Sequence, residues 1–112
     1  MIAKVIEMEK IVEQTLLYDF YGELLTEHQR NIYEDVVFHD LSYSEVAEAQ
    51  KISRQGVYDL IKRCNKILED YEQKLRLVEK FLKLKKKVEE IRRSCDQPDV
   101  IRTLSDEILE EL

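Results

Sequence analysis

Between residues 54 and 66 the chain gathers side chains able to read or hold a polyanion: Arg54, Gln55, Tyr58, Lys62, Arg63 and Lys66. Guanidinium and carboxamide groups offer the forked donors and acceptors that match purine edges in a major groove. Lys62, Arg63 and Lys66 can hold backbone phosphates. The chemistry on offer is recognition by hydrogen bonding and charge. Catalytic alternatives lack their parts, because the sequence has no Gly-rich phosphate loop, nucleophile elbow or metal-binding helix. His28 and His39 have no second His or Cys at ligand spacing, and Cys64 and Cys95 stand far apart outside any paired motif. A non-enzymatic protein without metal or cofactor is expected. The carboxylates fit a salt-bridged helix surface, as with Glu79 four residues before Lys83.

Those side chains can act together only if one helix presents them outward while its other face is held. Val46 to Leu60 has the pattern of a helix-turn-helix. Ala47 is small enough for two helices to cross, Ile52 plugs the turn, Ser53 caps the second helix, and Val57 and Leu60 face inward with Val46. Three residues depart from the usual pattern. Lys51 occupies the turn position commonly held by Gly, where a left-handed conformation costs about 1 kcal/mol. Gly56, in the first turn of the second helix, weakens it by up to about 1 kcal/mol relative to Ala. Asp59 puts a negative charge on the outward face.

The rest of the chain reads as helix, an all-α fold. Two Gly and one Pro in 112 residues leave too little turn punctuation for a sandwich, a barrel or βα units. With 38% charged and 44% hydrophobic residues, the composition suits amphipathic helices and excludes a disordered chain. Val5, Met8, Val12, Leu16, Phe20 and Leu24 mark one face of a first helix over about residues 3–25. Thr26 with Gln29 forms a capping box for a second helix, from near Glu27 to near Asp40, with Ile32, Val36 and Val37 inward. Ser42 with Glu45 repeats the signature for a short third helix, Tyr43 to about Gln50, and Ser53 caps a fourth. Ile61, Cys64, Leu68, Tyr71, Leu75, Val78 and Leu82 then alternate three- and four-residue steps, which predicts one long helix packed lengthwise on its neighbours. Beyond Leu82 the seam moves through Phe81 to Leu84, Val88 and Ile91. Asp96 suits the cap and Pro98 the first position of a last helix, which would fold back as a hairpin through Val100, Ile101, Leu104, Ile108 and Leu112. The expectation is a single all-helical domain over 1–112, with the helix-turn-helix at 42–66 and a long-helix extension with the C-terminal helix at 67–112.

Charge is polarised along the chain. Residues 1–50 carry three Lys/Arg against eleven Asp/Glu, 51–93 carry fourteen against seven, and 94–112 carry one against six. The basic middle either meets an anionic partner such as DNA or RNA, or pairs with the acidic ends. The run Lys85, Lys86, Lys87, Arg92 and Arg93 reads as a solubilising helix face or as a contact for RNA or phosphate. Lys4, Glu7, Glu9 and Lys10 interrupt any signal peptide, and no stretch of about 18 uncharged residues could insert in a membrane. A cytoplasmic location with two reduced thiols is expected. The seam shift after Leu82 exposes two faces of one helix where one short helix can cover only one, which points to a homodimer.

Leu-Ser-Tyr-Ser-Glu-Val-Ala at 41–47 followed by Ser-Arg-Gln-Gly-Val-Tyr-Asp at 53–59 resembles the promoter-reading fourth region of bacterial sigma factors. With Asp-Phe-Tyr at 19–21, Leu-Leu-Thr-Glu-His-Gln-Arg at 24–30 and Glu-Asp-Tyr-Glu-Gln-Lys-Leu at 69–75, the chain resembles the YlxM family of small bacterial proteins over nearly its full length. The resemblance implies a gene placed beside those for the signal recognition particle GTPase and its receptor, and a regulatory or accessory role in that pathway. Two readings follow: a helix-turn-helix regulator that binds DNA, or a protein that docks on the particle's GTPase or its RNA and never reads DNA.

Overall fold

The computed structural model describes the backbone of residues 2–112 and the side chains of residues 10–112. In chain order the elements are α1 (Ile2–Tyr21), a 3-10 turn (Gly22–Leu24), α2 (Glu27–Val37), α3 (Tyr43–Gln50), α4 (Arg54–Leu75), α5 (Leu77–Arg93) and α6 (Pro98–Glu111). The fold is all-α, with no strand among the described residues. It forms two compact units, Met1–Leu75 and Arg76–Leu112. Among the described residues no helix is long and apolar enough to cross a membrane.

In the first unit, α1, α2 and α3 all pack on α4. Leu17, Tyr21, Ile32, Tyr33, Val57, Cys64 and Leu68 are buried between them. The face of α1 differs from the expected one: Leu17, Tyr21 and Leu25 are buried, while Val12, Phe20 and Leu24 are exposed. Val5 and Met8 lie outside the described side chains. Tyrosine explains the rotation, since hydrophobic spacing discounts a ring with a polar tip. Tyr18 stacks on Tyr33 with ring centroids 5.4 Å apart. The ring of Tyr18 lies so close to Gly22 that a Cβ there would come within 2.9 Å of it. α1 accordingly stops at Tyr21, short of residue 25, and Leu25 N–H bonds to Gly22 O at 3.1 Å.

The buried phenols find acceptors. Tyr33 OH donates to Asn65 Oδ1 at 2.8 Å, Tyr21 OH to Glu72 Oε1 at 2.5 Å, and Tyr18 OH to Glu34. Burial pushes the Tyr33 phenol up to about 12. Burial and then the Glu34 hydrogen bond also raise Tyr18 far above the usual phenol range. Burial raises the Cys64 thiol as well, which suits an inert core residue. The Thr26 capping box starts α2, as its residues predict. That helix ends at Val37 and not near Asp40, because Asp40 turns left-handed at φ 59° and Leu41 N–H reaches back to Asp35 O. Ile32 is buried as expected, joined by Tyr33, with Val36 and Val37 only half-buried.

The expected long helix is divided. α4 stops at Leu75, Arg76 takes a left-handed conformation at φ 55°, and α5 restarts with Lys80 N–H bonded to Arg76 O at 3.0 Å. Along the heptad seam Ile61, Cys64, Leu68 and Val78 are buried, whereas Leu75 and Leu82 are exposed. In the second unit α6 folds back on α5 as a hairpin, with Leu104 buried. Lys83 pairs with Glu111 at 2.9 Å and Lys87 with Glu107 at 3.1 Å. Pro98 takes the first position of α6 as expected, but its cap is Gln97 and not Asp96, and no side-chain hydrogen bond closes it.

Candidate nucleic-acid interface

α3 and α4 form the helix-turn-helix. Ser42 Oγ accepts from Glu45 N at 3.1 Å and the Glu45 carboxylate reaches back to Ser42 N, a complete capping box that fixes where α3 begins. At its end Lys51 is left-handed, φ 58° and ψ 41°, and donates its N–H to the carbonyls of Ala47 and Glu48. Ile52 N–H then bonds to Ala47 O at 3.1 Å. This is the hydrogen-bonding of a helix stop usually built on Gly, here carried by Lys at a cost of about 1 kcal/mol.

Ser53 starts α4, with its Oγ accepting from Gly56 N at 2.9 Å. A Cβ on residue 56 would stand 3.1 Å from that same Oγ, so glycine leaves room for the cap that its own N–H completes. Val46 and Ala47 of α3, and Val57 and Ile61 of α4, are buried where the helices cross, as their types predict. Leu60, expected to face inward, is only half-buried, and Ile52, expected to plug the turn, is 36% exposed.

All six sequence-identified side chains, Arg54, Gln55, Tyr58, Lys62, Arg63 and Lys66, are exposed on α4. Residues 54 and 66 are separated by about 18 Å along the helix axis. Among the described residues no ion pair engages Arg54, Lys62, Arg63 or Lys66. Gln55 is partly committed, donating Nε2–H to Asp59 Oδ1 at 3.0 Å one turn on. That bond leaves the Gln55 carbonyl and one further N–H for another partner.

Two shallow depressions lie along this face. One is lined by Tyr43, Arg54, Gln55 and Tyr58. The other is lined by Asp59, Lys62, Arg63, Asn65, Lys66, Glu69 and Asp70. Tyr43 is the residue that spacing on α4 could not reveal. It lies at the first position of α3 and meets Tyr58 edge-on, with ring centroids 6.1 Å apart. Its only sequence signal is its place directly after the Ser42 cap. Asn65 shares the helix with the cations but turns inward, receiving Tyr33 OH and Gln14 Nε2. His28 and His39 are exposed, and His39 pairs with Asp35 one turn back on α2.

Comparison with known proteins extends this picture to relatives. The family model described as "Putative helix-turn-helix protein, YlxM / p13 like" matches residues 8–108. A UPF0122 protein of Thermoanaerobacter sp. is 45% identical over 105 residues, covering 88% of this chain and 89% of the relative. A UPF0122 protein of Clostridium perfringens is 42% identical over 109 residues, covering 94% and 97%. Another from Caldanaerobacter subterraneus is 54% identical over 78 residues, covering 70% of this chain and 67% of that protein.

Proposed function

The chain belongs to the UPF0122 family of YlxM / p13-like helix-turn-helix proteins, and from that premise we propose that it is a regulatory binding protein that reads duplex DNA with the first half of α4. The observation that carries this reading is the pairing of a locked inner face with an unengaged cationic outer one. Val57, Ile61 and Cys64 fix α4 in the core, so Arg54 through Lys66 move as one rigid surface. Arg54 and Gln55, in the first turn, would contact base edges, and Lys62, Arg63 and Lys66 would hold phosphates farther along the backbone. We further propose that this regulation serves the signal recognition particle pathway, as the resemblance to the YlxM family implies.

Asp59, Glu69 and Asp70, set among the lysines of one depression, favour a second reading. A surface of mixed sign suits docking on the particle's GTPase or its RNA better than it suits a uniform row of phosphates. Titration of the chain against duplexes of varied sequence, the particle's RNA and the GTPase separates the two. DNA reading gives a steep loss of affinity with salt and a preference among duplexes. Binding to the GTPase or RNA with no duplex bound at low salt refutes DNA reading and supports docking.

A further inference from the structure

The hairpin of residues 76–112 buries little of its apolar surface. Val88, Leu109 and Leu112 are 47%, 68% and 80% exposed, and Leu84, Ile91, Ile101 and Ile108 are only half-buried. These residues share one edge. At about 100° per residue, Leu84 and Val88 fall on one flank of the line where α5 meets α6, and Lys83 and Lys87 fall on the other. On α6, Ile101, Ile108 and Leu112 share a flank opposite Glu107 and Glu111. The ion pairs Lys83–Glu111 and Lys87–Glu107 therefore close the polar edge and leave the apolar edge open.

We propose that a second copy of this chain docks on that edge, so that two hairpins close into a four-helix bundle with each α5 lying between its own α6 and the partner's. Charge selects this occupant. α5 carries seven Lys/Arg against three Asp/Glu, a balance of +4, and α6 carries one against five, a balance of −4. A two-fold axis presents the same patch from both sides, so laying α5 on the partner's α6 also lays α6 on the partner's α5. Both new contacts then join helices of opposite sign, as the contact inside the hairpin already does. Pairing like helices would set +4 against +4 and −4 against −4. A foreign partner would have to match both signs and the apolar stripe at once. The resulting order alternates around the bundle with every neighbour antiparallel, the usual up-down-up-down arrangement. By analogy with the register inside the hairpin, where Lys83 meets Glu111 and Lys87 meets Glu107, Lys85 comes level with the partner's Leu109.

This inference is independent of what α4 binds, and its test needs no nucleic acid. Sedimentation velocity of the full chain over a wide concentration range is expected to show twice the 13.4 kDa chain mass. Leu109→Lys changes an exposed side chain, so helix content and melting of the dilute chain should hold. Dimer dissociation should rise by roughly tenfold or more. Lys85→Glu should weaken the dimer in the same direction, by removing a cation from the flank of α5 that faces the partner's acidic α6. A chain that stays at 13.4 kDa throughout overturns the proposal. So does a dimer indifferent to both Leu109→Lys and Lys85→Glu.

Discussion

The two halves of this molecule use the same amphipathic material to different ends. In Met1–Leu75 four helices converge, the central α4 is sealed by Val57, Ile61, Cys64 and Leu68, and tyrosine hydroxyls entering the core meet Asn65, Glu72 and Glu34. In Arg76–Leu112 two helices meet along one line, with Leu104 buried and ion pairs along an edge. Closure on several sides gives α4 a fixed inner face, which frees its outer face to carry charge without a structural duty. Two helices alone cannot achieve that, and their stripe remains available to a partner.

Truncation tests this contrast most strongly. Leu68→Ala, in the sealed core, should cost about 2–5 kcal/mol in urea unfolding, whereas Leu112→Ala, at the exposed end of α6, should stay within about 0.5 kcal/mol in dilute solution. Equal costs would erase the distinction between the units.

Tyr33→Phe should cost about 0.5–1.5 kcal/mol, because it removes the hydroxyl donor from half-buried Asn65, whose Oδ1 still receives Gln14 Nε2. The same variant has a signature in alkali. The Tyr33 phenol ordinarily ionises at 10.0 and in the folded chain near 12. Below pH 10 both states keep the proton, so the stabilisation is complete. As pH rises from 10 towards 12 the unfolded chain ionises first, and stability falls. Tyr33→Phe should flatten that fall in unfolding curves taken across this window; an unchanged slope would remove Tyr33 as its cause.

Ser53→Ala should cost about 1 kcal/mol by removing the α4 cap. Lys51→Gly should raise stability by about 0.5–1 kcal/mol by relieving the left-handed lysine. Both are read by thermal melting, and a loss of stability in Lys51→Gly would show that the Lys51 side chain stabilises the turn.

The caps and the motif were legible because their signals are local and directional. Thr26 with Gln29, Ser42 with Glu45, and Ser53 each fix a helix start within one turn, and the residues closing the helix-turn-helix lie within fifteen positions of one another. The face of α1 was not legible, because Tyr18 and Tyr21 pack as apolar rings while their hydroxyls seek carboxylates far along the chain. The break at Arg76 was hidden for another reason. Asp40, Lys51 and Arg76 adopt positive φ without being glycine, while the glycines at 22 and 56 serve close approach with ordinary φ. A reading that uses Gly to find helix ends therefore looks in the wrong places here. Within the candidate site, exposure of all six α4 side chains followed from periodicity, while the meeting of Tyr43 with Tyr58 depends on how α3 crosses α4.

DNA reading by α4 is tested most directly by a binding titration of wild type, Arg54→Ala and Lys66→Ala against duplexes of varied sequence at two salt concentrations. Arg54→Ala should lose about 1–3 kcal/mol on the preferred duplex and discriminate less among sequences, while Lys66→Ala should weaken every duplex alike and lower the salt slope by about one. Melting should be unchanged in both, since both side chains are exposed. If wild type binds no duplex at low salt, or both variants bind as wild type does, the outer face of α4 is not a DNA-reading surface.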